Sequence, residues 1–354
     1  MIEDYGWSDA LAQQFIPYAA EGLAPGRVVI QQRGLYGLIT GAGEVRAKIS
    51  GKLARDAEAG GYPAAGDWVA ASLGAPGETA VIHHLLPRRT AFTRKAAGPA
   101  GGVQVVAANA DVAFLAASLN ADLNPRRIER YLAAAWQSGA RPVVVLTKSD
   151  LCADVAAATA EIEAVAVGAP VHAISAVTGE GLEALGAYLA PGVTAVLLGS
   201  SGVGKSTLVN ALTGTARMVT QAIRDDDGRG RHTTSHRELI LLPGGGLLLD
   251  TPGMREMGLW DSEEGLGVAF DDIEALAGEC RFRDCGHSNE PGCAVRAALE
   301  SGRLDEARWR SYGKLQRELA HLEAKEDPAL RAARHRQIIT RSKANKVRMK
   351  IRGK

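Results

Sequence analysis

The sequence predicts a multidomain protein of mixed α/β class. We expect a small N-terminal OB-type β-barrel, a parallel sheet covered by helices on both faces, and a helical C-terminal region. Short apolar runs separated by glycine fill residues 26–89, buried-strand runs alternate with helical patterns over 111–213, and cysteine and histidine cluster over 280–293. Alternating strands and helices are typical of a parallel sheet with both faces buried.

The composition is that of an ordinary globular protein large enough for two or three domains. The chain has 354 residues, of which 46% are apolar and 23% charged. No apolar run reaches the ~20 residues that a membrane span requires. The acidic N-terminus has no apolar signal core. We therefore expect a cytoplasmic protein that does not enter a membrane.

Charge is unevenly distributed along the chain. Residues 331–354 contain ten of the 41 Lys and Arg residues and no acid. That leaves 31 basic against 40 acidic residues in 1–330, a formal charge of −9. A basic tail on an acidic body indicates a polyanionic partner for the tail. The alternative is a solvated helix end without a partner.

Residues 1–24 are predicted to be a polar lead-in and residues 25–90 a barrel of five short strands. The five runs are RVVI, GLYGLI, EVRAKISGKL, GDWVAA and TAVIHHLL. Five strands of this size favour an OB-type barrel, although any small β-barrel would have a similar pattern. OB barrels often bind nucleic acid. The cations that the barrel offers for this purpose are Arg27, Arg33, Arg46, Lys48, Lys52 and Arg55.

Residues 91–262 are predicted to form the parallel-sheet domain, and residues 88–102, where it begins, are predicted to be a basic, glycine-rich linker. DVAFLAAS, PVVVLT and TAVLLG are predicted to be buried strands. Asn124 followed by Pro125 predicts the start of a helix, since proline fits the first helical turn, and Gly139 predicts its end.

A phosphate-binding loop is predicted between the strand TAVLLG and the helix STLVNAL. The segment fits the pattern G-x4-G-K-[ST] in the strand–loop–helix context that this pattern requires. Backbone N–H groups of such a loop turn towards phosphate oxygens, and the helix N-terminus adds partial positive charge. Lys205 is expected to reach the β- and γ-phosphates, and Ser206 to ligate Mg²⁺. The predicted nucleotide contacts here are Gly199, Ser200, Ser201, Gly202, Val203, Gly204, Lys205, Ser206 and Thr207.

Two later segments are expected to respond to a γ-phosphate. The strand GGGLLLD ends at Asp250, which suits an acid that holds Mg²⁺ through water, and the Gly253 N–H is expected near the γ-phosphate. The polar stretch RDDDGRGRHTTSHREL is expected to close over Mg²⁺ and the γ-phosphate when a triphosphate is bound. Thr233 or Thr234 would then ligate Mg²⁺, and we favour Thr234.

Guanine recognition is predicted upstream of the phosphate loop. GTPases commonly read guanine with N-K-x-D, and the match here is TKSD at 147–150, where a strand ends. The Asp150 carboxylate can accept hydrogen bonds from guanine N1–H and the 2-amino group, donors that adenine does not offer as a pair. The Lys148 stem can lie over the base. Ser175 and Ala176 fit a second base loop, whose backbone N–H contacts guanine O6. The segments thus follow a cyclic rotation of the usual GTPase order, which the same sheet can accommodate.

Residues 263–354 are predicted to be a helical zinc-binding domain. Cys280, Cys285, His287 and Cys293 bring three thiols and one imidazole into fourteen residues, which is a tetrahedral structural zinc set. In a reducing cytosol this clustering favours metal over disulfides. The alternatives are reduced core cysteines beside a surface histidine, or an iron–sulfur cluster.

Together these motifs resemble the bacterial ribosome small-subunit-dependent GTPase A family (RsgA, also called YjeQ). The resemblance implies an OB barrel, a circularly permuted GTPase domain and one structural zinc ion. It implies hydrolysis of GTP to GDP stimulated by the small ribosomal subunit, and a late role in maturing that subunit. Barrel and tail would contact ribosomal RNA, and the protein would be a monomer off the ribosome. The similar segments are GDWV (66–69), GSSGVGKSTL (199–208), GRGRHTTSHREL (228–239), DTPG (250–253) and CRFRDCGHSNEPGC (280–293).

The sequence departs from common GTPase patterns in three places. Thr147 stands where many GTPases have Asn, so guanine selectivity depends more on Asp150. Ser235 is a mild change in a Thr-rich segment. Met254 stands where many GTPases have the glutamine that orients water, so slow intrinsic turnover is expected.

The candidate catalytic groups are Lys205, Thr234 and His232. We take His232 as the group that orients water, because it lies beside Thr233. The alternatives are a loop histidine with an RNA or structural role, and a group that the ribosome supplies.

Three other functions fit parts of the sequence. A P-loop ATPase would share the phosphate loop, but Asp150 argues against it. An RNA-binding assembly factor could use GTP mainly as a conformational clamp. The intact Lys205, Ser206 and Asp250, with the threonines at 233 and 234, favour hydrolysis, but the missing glutamine keeps the clamp as an alternative. A membrane-surface protein could dock through its basic tail, but the tail lacks a large apolar face with Trp or Phe.

Overall fold

The computed structural model describes residues 1–32, 34–57, 61–75, 77–95, 103–120, 123–215, 237–250, 266–267, 269–288 and 290–326. The chain divides into two compact units, residues 1–258 and residues 259–354. In the described part of the chain, no helix combines the length and the apolar character needed to cross a bilayer.

The N-terminal part of the first unit contains a closed barrel of five strands. β1 pairs with β2 and β4, β2 with β3, and β5 with β3 and β4, so the ring closes in the order 1-2-3-5-4. This closure confirms the predicted OB-type barrel. The elements are β1 (Ala24–Gln32), β2 (Leu35–Thr40), β3 (Gly43–Ile49), α2 (Gly51–Asp56), β4 (Trp68–Ser72) and β5 (Ala80–Leu85). The interior is filled by alternate side chains that include Val28, Leu38, Ala47, Val69 and Ile82.

The expected lead-in contains a helix that packs on the barrel. α1 (Asp9–Ala20) begins after Ser8, whose hydroxyl accepts a hydrogen bond from the Leu11 N–H. Leu11 and Phe15 lie four residues apart, on one face of the helix, and both are buried in a cluster with Trp68 of β4. Residues 1–24 therefore contain a helix that packs against the barrel and are more than a polar lead-in.

Arg27 is not part of the barrel's exposed positive surface, so its predicted role in nucleic-acid contact is wrong. Only 2% of the residue is exposed. Its guanidinium donates hydrogen bonds to the Asn109 carbonyl at 3.3 Å and the Thr194 hydroxyl at 2.8 Å. Burial lowers the pKa of Arg27 to about 10, so the group stays charged at neutral pH. Arg33 lies outside the described residues. Of the barrel cations named from the sequence, Arg46, Lys48, Lys52 and Arg55 are exposed.

Part of the predicted linker forms a hairpin. β6 (Ala91–Lys95) pairs antiparallel with β7 (Val103–Ala108). The linker prediction is wrong for 91–95 because Phe92 is buried in the hairpin, with 1% of its surface exposed. Burial of an aromatic side chain stabilises a fold by about 1.5–3 kcal/mol. This burial favours a hairpin at 91–95, where the glycine-rich pattern predicted a linker.

The second half of the first unit is the predicted parallel sheet, in the order β10-β9-β8-β11-β13, with β12 antiparallel at one edge. Helices α5 and α6 pack on one face through a shared cluster that includes Leu185 and Leu208. α3 contacts β8 and β9 without joining that cluster, so it covers the other face. The strands are β8 (Val112–Ser118), β9 (Arg141–Thr147), β10 (Val171–Ala173), β11 (Thr194–Gly199), β12 (Arg237–Leu241) and β13 (Leu247–Asp250). The helices are α3 (Pro125–Ser138), α4 (Val155–Glu163), α5 (Leu182–Gly186) and α6 (Lys205–Thr213).

The barrel and the parallel sheet are joined edge to edge, which the sequence did not predict. β1 pairs antiparallel with β12, with Ile30 opposite Glu238 and Gln31 opposite Arg237. The Arg237 guanidinium also donates a hydrogen bond of 2.8 Å to the Gln31 side chain. The two sheets thus form one continuous sheet of eleven strands.

The second unit is helical in its described part, as predicted. Arg308 of α9 forms an ion pair with Asp272 of α7 through two hydrogen bonds of 2.6 and 2.9 Å, and its guanidinium lies 4.7 Å from the Phe270 ring centroid. This partly desolvated pair fixes α9 against α7. The helices are α7 (Asp271–Gly278), α8 (Ala294–Glu300) and α9 (Glu306–Glu326).

Candidate functional site

The phosphate loop connects β11 to α6 at the carboxyl end of the sheet. A Cβ atom at Gly199 would lie 2.6 Å from the Ala116 carbonyl oxygen of β8, so only glycine permits this approach. Gly204 has φ +91° immediately before α6. The Lys205 ammonium donates hydrogen bonds to the carbonyls of Gly199 and Ser200, at 2.7 and 2.5 Å. The loop therefore wraps around a lysine at a helix N-terminus, an arrangement suited to binding phosphate.

The base loop is connected directly to the phosphate loop. The Thr147 hydroxyl, at the end of β9, donates a hydrogen bond of 2.5 Å to the Val203 carbonyl. Lys148, which has φ +61°, donates from its ammonium to the Gly202 carbonyl at 2.7 Å. Asp150 follows in a single 3₁₀ turn and is exposed. Thr147 and Lys148 thus bind the phosphate loop, while the Asp150 carboxylate of the same motif stays accessible to a base.

The second base loop lies beside the first. The Ser149 N–H donates to the Ile174 carbonyl at 3.1 Å, which joins the two loops. The buried Ser175 hydroxyl accepts hydrogen bonds from the N–H groups of Val177 and Thr178, so it shapes the turn that presents Ala176. These contacts bring the two segments that sequence reasoning chose for guanine to one edge of the sheet.

Asp250 lies at the same edge as the phosphate loop. It is the last residue of β13, and β13 runs parallel to β11 with Leu249 opposite Val196. Carboxyl ends of adjacent parallel strands are where α/β proteins bind nucleotides. Ser206 and Thr207 lie in the first turn of α6 and are partly buried. His232, Thr233, Thr234, Gly253 and Met254 lie outside the described residues.

Sequence reasoning missed one contact of the phosphate loop. Arg127, in the first turn of α3, donates a hydrogen bond of 3.0 Å from its guanidinium to the Ser200 hydroxyl. A signal existed in the sequence, because Arg126 and Arg127 occupy a first helical turn, where acidic side chains are favoured.

The predicted metal ligands come together in the second unit. The ligand atoms of Cys280, Cys285, His287 and Cys293 all lie within 4.8 Å of one another. The His287 Nδ1 atom is 3.6 Å from the Cys280 Sγ and 3.5 Å from the Cys293 Sγ, and these two sulfurs are 4.0 Å apart. Ligand atoms around a tetrahedral zinc ion are separated by about 3.5–3.8 Å, so the donor set fits zinc, and the distances from His287 to the two sulfurs match that spacing.

The loop that carries His287 is held by surrounding groups. The Glu290 carboxylate accepts hydrogen bonds from the N–H groups of Gly286 and Ser288, at 3.2 and 2.8 Å. His287 itself has φ +54°, and its ring packs edge-on against Trp309 of α9 at 5.7 Å. Cys293 is the N-cap of α8. The four ligand positions therefore depend on the local fold of the unit and not on a disulfide, since these cysteines are free.

A parallel sheet with a phosphate loop, and two loops suited to guanine that precede it in the chain, define a circularly permuted GTPase. The chain belongs to the RsgA GTPase family, whose model matches residues 85–260. It is 49% identical over 346 residues to the small ribosomal subunit biogenesis GTPase RsgA of Opitutus terrae, covering 95% of this chain and 94% of the relative. It is 48% identical over 354 residues to the protein of that name from Streptomyces coelicolor, covering 99% of this chain and 95% of the relative.

Two solved structures have the same fold. The crystal structure of YjeQ from Thermotoga maritima superposes with a TM-score of 0.63 at 28% identity, covering 84% of this chain and 98% of that one. The structure of YloQ, described as a circularly permuted GTPase, has a TM-score of 0.58 at 23% identity, covering 84% of this chain and 95% of that one.

Proposed function

We propose that this protein hydrolyses GTP to GDP and phosphate when it is bound to the small ribosomal subunit, and that it acts late in the maturation of that subunit. The observation that carries the proposal is the connection between the base loop and the phosphate loop through Thr147 and Lys148. It supports a single site in which one guanine nucleotide contacts both loops. The relatives are named for biogenesis of the small ribosomal subunit.

The described residues have distinct roles in this proposal. Asp150 selects guanine, with the backbone at Ser175 and Ala176 contacting O6. The backbone of residues 199–204 and the Lys205 ammonium bind the phosphates. Ser206 and Asp250 would hold Mg²⁺, directly and through water, with Thr234 as a third ligand. A bound ion would neutralise charge on the β- and γ-phosphates.

Hydrolysis needs a group that orients water, and Met254 cannot supply one. We assign this role to His232, which the small subunit would bring into position. The alternative is an RNA-binding assembly factor that uses GTP mainly as a clamp. In that case the segments around Thr234 and Gly253 would respond to the γ-phosphate, but turnover would stay slow on the subunit.

Partners follow from charge and from the metal ligands. We propose that the barrel (25–90) and the basic tail (331–354) bind ribosomal RNA, that Cys280, Cys285, His287 and Cys293 hold one structural zinc ion, and that the protein is a cytoplasmic monomer off the ribosome. The exposed barrel cations support the first assignment, and the arrangement of the ligand atoms supports the second.

The decisive test is GTP turnover with and without purified small ribosomal subunits, with large subunits as the control. The proposal requires strong stimulation by small subunits alone and little turnover of ATP. Binding of GTP without stimulation would favour the clamp, and equal stimulation by both subunits would contradict the assigned partner.

A further inference from the structure

Arg127 contacts the phosphate loop from an element that is distant in sequence. It is the third residue of α3, and the Asn124 side chain accepts hydrogen bonds from the N–H groups of Arg126 and Arg127, which fixes the backbone there. The Arg127 guanidinium donates to the Ser200 hydroxyl at 3.0 Å, across 73 residues of sequence. Arg127 and Ser200 are both partly buried.

Three cations from different elements converge on this loop. Lys205 donates to the carbonyls of Gly199 and Ser200, Lys148 to that of Gly202, and Arg127 to the hydroxyl of Ser200. All three cations lie near the N-terminal end of α6, and Arg127 also lies at the N-terminal end of α3. The helix dipole disfavours positive charge at such ends. Such an arrangement is stabilised by an anion, and the loop is shaped to bind the phosphates of a nucleotide.

The adjacent arginine has a different environment. Arg126 forms an ion pair of 2.6 Å with Glu129, whose side chain is fully buried. That pair lies within α3, so Arg126 contributes to the stability of the helix. The same turn therefore offers two arginines, of which one binds a buried acid and the other the phosphate loop.

We propose that Arg127 is a positioning residue for the nucleotide phosphates. By holding the Ser200 side chain it keeps the first half of the phosphate loop, residues 199–202, in the conformation that accepts the α- and β-phosphates. The inference rests on the proposed guanine-nucleotide function, and adds to it a residue outside the phosphate-loop motif.

The test measures GDP affinity of the full chain by fluorescence for wild type, Arg127→Ala, Arg127→Lys, Ser200→Ala and the double variant. Arg127→Ala should weaken GDP binding about ten-fold, equivalent to about 1.4 kcal/mol. Ser200→Ala removes the same hydrogen bond and should weaken GDP binding to a similar extent, and the double variant should bind GDP no more weakly than Arg127→Ala. Arg127→Lys should recover part of the affinity.

Two competing ligands separate a phosphate effect from a general one. Competition by pyrophosphate should weaken by the same factor as GDP binding, whereas competition by guanosine, which has no phosphate, should be unchanged. Arg126→Gln is the matched control and should lower the melting temperature while leaving GDP affinity near the wild-type value.

Several results would overturn the inference. Unchanged GDP affinity in Arg127→Ala would contradict it. A loss of guanosine competition as large as the loss of GDP affinity would also contradict it. A loss for a non-hydrolysable GTP analogue that far exceeds the loss for GDP would also contradict a positioning role, because it would indicate direct contact with the γ-phosphate. Failure of wild type to bind guanine nucleotides would instead contradict the proposed function itself.

Discussion

The Thr147 hydroxyl donates a hydrogen bond of 2.5 Å to the Val203 carbonyl, and the residue is 2% exposed. The two residues are 56 positions apart, one at the end of β9 and the other in the phosphate loop. A hydroxyl therefore occupies the position that many GTPases fill with an asparagine amide, and it connects the base loop to the phosphate loop. We expect this connection to make the binding of guanine and of phosphate interdependent.

Removal of this hydroxyl should weaken nucleotide binding. Thr147→Val keeps the shape of the side chain but leaves the buried Val203 carbonyl without its donor, at a cost of about 1–3 kcal/mol. We expect lower stability and weaker GDP binding, measured by denaturant unfolding and fluorescence titration. Thr147→Ser retains the donor and should resemble wild type. Wild-type GDP affinity in Thr147→Val would show that the hydrogen bond does not couple the two loops.

Asp150 should determine which base is accepted. Asp150→Asn replaces an acceptor by a side chain that can also donate, so the preference should move from guanine towards xanthine, whose 2-oxo group accepts a hydrogen bond. Competition between GDP and XDP measures the change. Because Asp150 is exposed, the melting temperature should stay the same. Retention of the full preference for GDP would assign base selection to another group.

The pair Arg88–Asp67 should contribute strongly to the stability of the barrel. Arg88 donates to both carboxylate oxygens, at 2.8 and 2.7 Å, and the Asp67 side chain is fully buried. Burial raises the pKa of Asp67, and the charge and hydrogen bonds of Arg88 oppose that rise. Arg88→Ala should cost about 3–5 kcal/mol at neutral pH, because it leaves a buried carboxylate without its partner.

The cost of Arg88→Ala should shrink in acid. Without Arg88 the folded-state pKa of Asp67 lies further above the unfolded value of about 3.9. The folded state then binds the proton more tightly, so the variant regains stability as the pH falls through the raised pKa towards the unfolded one. Urea unfolding at several pH values tests this. A cost that is constant with pH would contradict an uncompensated carboxylate as its cause.

Zinc removal should unfold the second unit while leaving nucleotide binding intact. Cys293→Ser removes a proposed zinc ligand that is also the N-cap of α8, so metal content should fall and helical structure should be lost. Metal analysis and circular dichroism measure both. GDP affinity should be unchanged, because the described nucleotide-site residues belong to residues 1–258. A full equivalent of zinc in Cys293→Ser would exclude this cysteine as a ligand.

His232→Ala distinguishes the two roles considered for this histidine. If His232 orients water, the subunit-stimulated kcat should fall by about 10²–10⁴-fold, which is the usual contribution of a positioned acid–base group. Binding of a non-hydrolysable GTP analogue and of the subunit should be retained. An RNA role would instead weaken subunit binding and leave kcat unchanged at saturating subunit. Full stimulated turnover at unchanged affinity would exclude both.

The sequence alone determined the features that depend on local pattern. The five barrel strands, the capped helix from Pro125 to Ser138, the phosphate loop and the cluster of metal ligands each follow from residue types at short spacings. The cyclic order of the GTPase segments also follows, because order is a property of the chain itself. Each single strand, helix, loop or cluster among these is specified by a short stretch of the chain.

Only the tertiary structure decided which distant residues meet. The pairing of Gln31 with Arg237 joins the barrel to the sheet, and the contact of Arg127 with Ser200 braces the phosphate loop. Arg27 is buried although it was expected at the surface, because its guanidinium donates hydrogen bonds to the Asn109 carbonyl and the Thr194 hydroxyl. No local periodicity specifies these contacts. They form only when burial and strand pairing have brought the elements together, so they depend on the folded chain as a whole.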